Sequence, residues 1–258
     1  MTEPSPKNYA YDLVSALDAV VGVRSTVPSD AHSADRLGTE RSGNGCIISD
    51  DGLVVTVGYL ITEAESIWLV ANDERVIPAH VVGRDQESGL ALIQALEPLG
   101  MVPLKLGNSA DVMVGERVVV AGGGGLMNAV DAEVVAKQEF AGYWEYVLEM
   151  ALFTTPAYRH WGGAAVIGQD GKLQGLGSLY IQDVETGTPR EGNMAIPIEL
   201  LEPILTDMTT YGQVQQTPRP WMGLFANEAS HHAVVMGVAE GGPADLAGIE
   251  SGDIIVDV

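Results

Sequence analysis

Few residues in this chain could carry out chemistry, and their spacing favours none of the usual devices. The one cysteine, Cys46, lies in the apolar run Cys46-Ile47-Ile48 and reads as a small buried strand residue rather than a reactive thiol. A single cysteine also excludes an internal disulfide framework and any multi-cysteine metal site. The histidines are His32, His80, His160, His231 and His232. Adjacent His231 and His232 would point to opposite faces of a strand, so they cannot share one metal ion. Four glycines, Gly122-Gly123-Gly124-Gly125, suggest a phosphate cradle, but no Lys-Ser/Thr follows them and no helix pattern begins there. They read instead as a flexible turn. No metal and no cofactor is expected.

The elements that must position any site are short. The chain has 258 residues, 46% of them apolar, with 31 glycines and few aromatics. That composition suits many short strands joined by tight turns around a sizeable core. Apolar runs at 46–48, 53–56, 66–70, 79–82, 91–94, 117–121 and 173–176 are punctuated by Gly, Pro, Asn or Asp. Asp50-Asp51-Gly52 and Gln169-Asp170-Gly171 are hairpin-turn sequences. The pattern is that of a β-barrel or sandwich, not of βαβ units. A short helix is expected over 11–19, a strand over 20–27 and a mobile polar loop over 29–42. A helix is expected over 197–211, started by Pro197 and capped by Gly212. Residues 213–220 read as a linker. The run Tyr143-Trp144-Glu145-Tyr146 reads as buried packing, with a partner contact as the second reading.

The net charge is −22. Such a surface repels phosphates, which argues against nucleic acid and anionic membrane as partners. No segment has the ~20 apolar residues of a membrane span. Residues 1–12 hold charges and prolines and no apolar stretch, so the sequence as written reads as cytoplasmic, or as periplasmic if a leader has been removed.

Ordered motifs resemble those of the HtrA (Deg) family of trypsin-like serine proteases. Ser42-Gly43-Asn44-Gly45-Cys46-Ile47-Ile48 running to Leu53-Val54-Val55-Thr56 is similar to the family's glycine-rich entry strands. Val81-Val82-Gly83-Arg84-Asp85 with Leu90-Ala91-Leu92, Leu106-Gly107-Asn108-Ser109 with Val114-Gly115-Glu116, and Gly192-Asn193-Met194-Ala195-Ile196-Pro197 resemble three further family segments. The resemblance implies an all-β fold: a chymotrypsin/trypsin-like double β-barrel with a C-terminal helix over residues 1–214. It also implies a nucleophilic serine, a histidine base and an aspartate. The family's serine signature aligns with Tyr158-Arg159-His160-Trp161-Gly162-Gly163, which puts Gly162 at the nucleophile position. The histidine position falls on Tyr59 in Thr56-Val57-Gly58-Tyr59, and the aspartate position on Gly89, just before Leu90-Ala91-Leu92. The three positions keep the family's spacing.

None of the three side chains can play its part. Glycine has no hydroxyl or thiol to attack a carbonyl. A tyrosine, with an ordinary pKa of about 10, is a poor base at neutral pH. Gly89 cannot orient a base. His160 stands at the oxyanion-loop glycine position, and the bulky run through Trp161 is expected to fill the cleft. Ser178, Thr154 and Thr155 are near in sequence, and Thr154 falls where the family commonly has Asp. Asp85 and Glu87 read as a solvated turn.

Arg219-Pro220-Trp221-Met222-Gly223-Leu224, then 234–244 and 247–255, resemble the start of an HtrA-type PDZ domain, so 219–258 is read as part of one. Trp221, Met222, Gly223 and Leu224 would then supply the carboxylate loop and the peptide-accepting strand. The resemblance thus points to a catalytically inactive homologue that binds protein or C-terminal peptide segments, with assembly into a homo-oligomer, a trimer by resemblance. The alternative is an active serine-type endopeptidase with a non-standard site.

Overall fold

The computed structural model describes residues 2–142, 146–182, 191–217, 220–229 and 232–256. Tyr143 to Glu145 of the aromatic run, Arg219 and His231 lie outside the described residues. The chain divides into two compact units, one of residues 1–140 and 148–214, the other of residues 141–147 and 215–258.

The first unit holds two closed six-stranded barrels, as the resemblance implied. A short helix, α1 (Leu13–Asp18), comes first; the Asp12 carboxylate caps it by accepting from the Ser15 N–H. The first barrel is built from β1 (Val20–Thr26), β2 (Glu40–Ile47), β3 (Leu53–Val57), β4 (Ser66–Val70), β5 (Val76–Arg84) and β6 (Leu90–Ala95), in the order β1-β2-β3-β6-β5-β4. Strand β1 shows why the barrel closes. Val21 and Val23 are buried and Ser25 with them, while Arg24 and Thr26 face out, the two-residue period of a strand with one face in a core. Cys46 is fully buried on β2, and burial pushes its thiol pKa well up.

The segment 29–42 is not the mobile loop that its polarity suggested. It contains a one-turn helix, α2 (Ala34–Leu37), and β2 begins within it at Glu40. The buried Arg41 ties it down. Its guanidinium donates to the Gly38, Tyr59 and Thr62 carbonyls and to the Ser33 hydroxyl.

The second barrel is built from β7 (Arg117–Ala121), β8 (Ala129–Ala141), β9 (Val147–Thr155), β10 (Ala165–Ile167), β11 (Leu173–Ile181) and β12 (Gly192–Pro197), ordered β10-β11-β12-β9-β8-β7. Val118, Val120, Val130, Val134, Leu152 and Val166 meet in its core. Helix α3 (Glu202–Tyr211) follows, and Gly212 ends it at φ 76°, the left-handed cap expected from the sequence. Its start differs from expectation. Pro197 is the last residue of β12, paired with Gly175, and a 3-10 turn over Ile198–Leu200 separates it from the helix. Strand pairing won over the proline's suitability as a first helical residue. The end of α3 lies against the first barrel, where a Cβ on Gly83 would come within 2.7 Å of the Met208 carbonyl oxygen.

The second unit contains β13 (Leu224–Ala229), β14 (His232–Val238) and β15 (Ile254–Ile255) in one antiparallel sheet, with the one-turn helix α4 (Pro243–Leu246). Val235 and Ala244 are buried there, and so is Tyr146 of the 141–147 stretch. No described helix is long and apolar enough to cross a membrane.

Candidate functional site

Between the barrels lies a cleft of about 840 Å³. Tyr59 and residues 42–44 line it from the first barrel, and residues 158–162 line it from the second. Tyr59 sits in a 3-10 turn, Gly58–Leu60, directly after β3. The Gly58 N–H donates to the Gly89 carbonyl at 2.8 Å, which holds the turn before β6 beside the Tyr59 turn. Gly89 has φ 75°, and the Asp85 carboxylate closes its loop by accepting from the Ser88 N–H. Asp85 is therefore largely buried as a turn acceptor, not a freely solvated side chain.

Across the cleft, the Tyr59 hydroxyl donates to the Ser178 carbonyl on β11 at 2.8 Å. A Cβ placed on Gly162 would lie 2.9 Å from that same hydroxyl oxygen. Tyr59, Gly89 and Gly162 are thus brought together by the fold, and the tyrosine hydroxyl occupies space that a side chain at 162 would need.

The loop 158–163 does not fill the cleft, contrary to what its bulk suggested. Tyr158 turns inward: its hydroxyl accepts from the Gly122 N–H and donates to the Asn128 carbonyl. Burial raises its pKa, with the Gly122 bond opposing. Trp161 leans on Tyr180, ring centroids 5.6 Å apart, and the hydrogen bond from Tyr180 to Glu191 raises the Tyr180 pKa. Arg159 and His160 are exposed. The His160 ring meets Tyr158 edge-on at 5.9 Å. His160 shares the cleft with Ser42 and Glu74 but hydrogen-bonds to neither.

One residue whose role sequence reasoning missed fixes this loop. Asn44, 5% exposed on β2, donates from its backbone N–H to the Gly162 carbonyl at 2.8 Å. Its side-chain Nδ2 donates to the His160 and Gly162 carbonyls at 2.7 and 3.1 Å, and its Oδ1 accepts from the Gly123 N–H at 2.9 Å. The only sequence signal was an amide side chain between two glycines, Gly43 and Gly45, just ahead of the apolar run Cys46-Ile47-Ile48. The glycine run it touches is no loose turn, because a Cβ on Gly123 would fall 2.4 Å from the Gly22 backbone nitrogen. Glycine is required there for the close approach of two backbones. With two of the loop's carbonyls aimed at Asn44, the backbone N–H groups of His160 and Gly162 donate to no described residue.

The remaining candidates contribute little. Thr154 is fully buried with an unpartnered hydroxyl, and Thr155 donates to the Glu191 carbonyl. Among the described residues no cluster of His, Cys, Asp and Glu could hold a metal ion. In the second unit Trp221 and Met222 are exposed, Gly223 has φ 73°, and Leu224 opens β13. The Gly223 and Met222 carbonyls accept from Ala239 and Ala244 N–H groups.

A double barrel with its cleft between the barrels defines the trypsin-like class. The chain belongs to the trypsin-like peptidase domain family, matched over residues 43–176, just over half its length, and within it to the HtrA group. It is 29% identical over 232 residues to the periplasmic serine endoprotease DegP of Escherichia coli (strain K12), covering 84% of this chain and 48% of that protein. It is 27% identical over 274 residues to the serine endoprotease DegS of Salmonella typhimurium (strain 14028s / SGSC 2262), covering 100% of this chain and 76% of that one. The chain spans about half the length of the DegP relatives it matches. Among solved structures, the HtrA-type protease AlgW with a decapeptide has a similar fold, with TM-score 0.60 and 21% identity, covering 94% of this chain and 83% of that chain.

Proposed function

We propose that this chain is a non-cleaving HtrA homologue that binds polypeptide segments. The observation that carries the reading is the pair Tyr59 and Gly162. Position 162 offers no nucleophile, and the hydroxyl facing it is spent on the Ser178 carbonyl. Acyl transfer needs a nucleophile, a base and a group orienting that base, and these act as a unit. Free N–H donors at His160 and Gly162 are consistent with holding a carbonyl or carboxylate oxygen, but donors alone do not break an amide bond.

Residues 219–258 are read as the first part of a PDZ module, following a trypsin-like domain over 1–214. Support comes from the edge position of β13 and the left-handed Gly223 before it, which suit a backbone loop leading into a peptide-accepting strand. Protein or peptide partners, homo-oligomer assembly and a periplasmic setting, as in the names of the DegP relatives, complete the reading.

The test is direct. Purified protein is incubated with casein and with a fluorophosphonate probe, and peptide binding is followed by fluorescence anisotropy. The reading expects no cleavage, no adduct and saturable binding. A stoichiometric adduct on a serine such as Ser42, lost when that serine becomes Ala, would favour the endopeptidase with a non-standard site.

A further inference from the structure

On a chain of net charge −22, the cleft collects positive charge that nothing in the fold uses. Most described basic side chains are engaged. Arg41 and Lys137 are spent on carbonyls, Arg75, Arg117 and Lys172 on aspartates, and Arg84 on the Thr62 hydroxyl. Among the described residues only Lys7, Arg24, Lys105 and Arg159 have side chains with neither a hydrogen bond nor an ion pair. Two of these four, Arg24 from β1 and Arg159 from the loop before Gly162, line the same cleft from opposite barrels. One carboxylate, Glu74, lines it with them and pairs with neither.

We propose that the cleft selects a peptide carrying a single acidic side chain, whose carboxylate is taken by Arg24 and Arg159. A guanidinium offers a planar fork of donors matched to a carboxylate, and such charge-assisted pairs are the stronger hydrogen bonds. In a concave site the low-dielectric walls concentrate the field of the two cations. The excess of acid over the rest of the surface limits how much negative charge the ligand can bring. A polyanion would gain at the cleft and be repelled everywhere else. One carboxylate on an otherwise uncharged segment satisfies both constraints.

The inference rests on the peptide-binding reading and deepens it, so the experiment separates the two. Two fluorescein-labelled peptides of equal length, identical in small apolar residues except for a central Glu or Gln, are titrated with the whole chain by anisotropy. Wild-type protein is expected to bind the Glu peptide about tenfold more tightly, the scale of one charge-assisted hydrogen bond. Arg24→Gln and Arg159→Gln each reduce the preference, and together they abolish it, with the larger loss of affinity falling on the Glu peptide. Both arginines are exposed, and unchanged urea midpoints check that the variants fold. Equal affinity for the two peptides in wild type, or a preference that survives in the double variant, overturns the acidic selectivity and leaves peptide binding standing. Binding of neither peptide overturns both.

Discussion

The cleft wall contributed by the first barrel is held by its own barrel. Gly58 bonds to Gly89, and the Tyr59 carbonyl is gripped by Arg41 from the neighbouring strand. The wall contributed by the second barrel is held from both sides: Tyr158 and Gly163 are bonded within their own barrel to Gly122, Asn128, Asn193 and Gly177, while Asn44 of the first barrel takes the carbonyls of His160 and Gly162. Both walls descend from short, glycine-rich turns, so local propensity does not separate them. The difference teaches that the middle of the 158–163 loop, His160 to Gly162, takes its anchor from the docked first barrel, whereas the backbone of the Tyr59 turn is fastened within one barrel. A ligand that pries at the cleft would meet one wall fastened within its barrel and one whose middle is fastened across the interface by Asn44.

Substitutions can sharpen that contrast. The largest effect is expected at Gly163, which has φ 72° and where a Cβ would lie 1.9 Å from the Asn44 carbonyl oxygen. Gly163→Ala should cost about 3 kcal/mol or more, from left-handed strain plus forced separation of the loop from β2. Urea unfolding measures it, and a cost under about 1 kcal/mol would mean that the walls are not in such contact.

Next comes Arg41→Met, which keeps bulk but strands the carbonyls of Gly38, Tyr59 and Thr62. A loss of about 2–3 kcal/mol is expected, with hydrogen exchange speeding up around residues 33–41 and 58–62 while the Tyr158 and Gly163 amides stay protected. Asn44→Ala should cost about 2 kcal/mol and reverse the pattern, deprotecting the Gly123, Tyr158 and Gly163 amides and sparing the Tyr59 turn. If both variants loosened both walls equally, the distinction drawn here would fail.

Tyr59→Phe removes one cross-barrel bond and leaves the ring, for an expected loss of about 1 kcal/mol in urea. The smallest effect is that of mild alkali. The pKa values of Tyr158 and Cys46 are raised by burial, so both groups are neutral in the folded state wherever they are neutral unfolded. Their contribution is complete below the unfolded values, about 9 for the thiol and about 10 for the phenol, and is lost as pH climbs from there toward the folded values. Thermal midpoints should therefore show no drop from these groups between about pH 7 and pH 8.5, and a fall above about pH 9.5.

Much of the architecture was legible. The runs at 53–56, 66–70 and 117–121 became β3, β4 and β7 almost residue for residue, because period and turn chemistry are local. Strands β8 and β9 were not read out, although the first half of β8 alternates between buried and less buried residues, Val130, Ala132 and Val134 facing in. The turn over 29–42 and the start of α3 were misjudged for one reason. Each is decided by a partner distant in sequence, Tyr59 and Thr62 for Arg41 and Gly175 for Pro197.

The sequence by itself determined which functional groups exist: glycine at 162 and 89 and tyrosine at 59, with no serine or cysteine among residues 158–163. No packing can add a hydroxyl that the chain does not encode. Only the tertiary structure decided where the remaining groups go. The Tyr59 hydroxyl reaches Ser178 across 119 positions of sequence, and Asn44 reaches His160 across 116. Arg24 and Arg159 share one cleft because two separately closed barrels meet there. Such pairings depend on how the barrels dock, and strand period carries no record of that, since period reports which face of a strand is buried and not what lies opposite it.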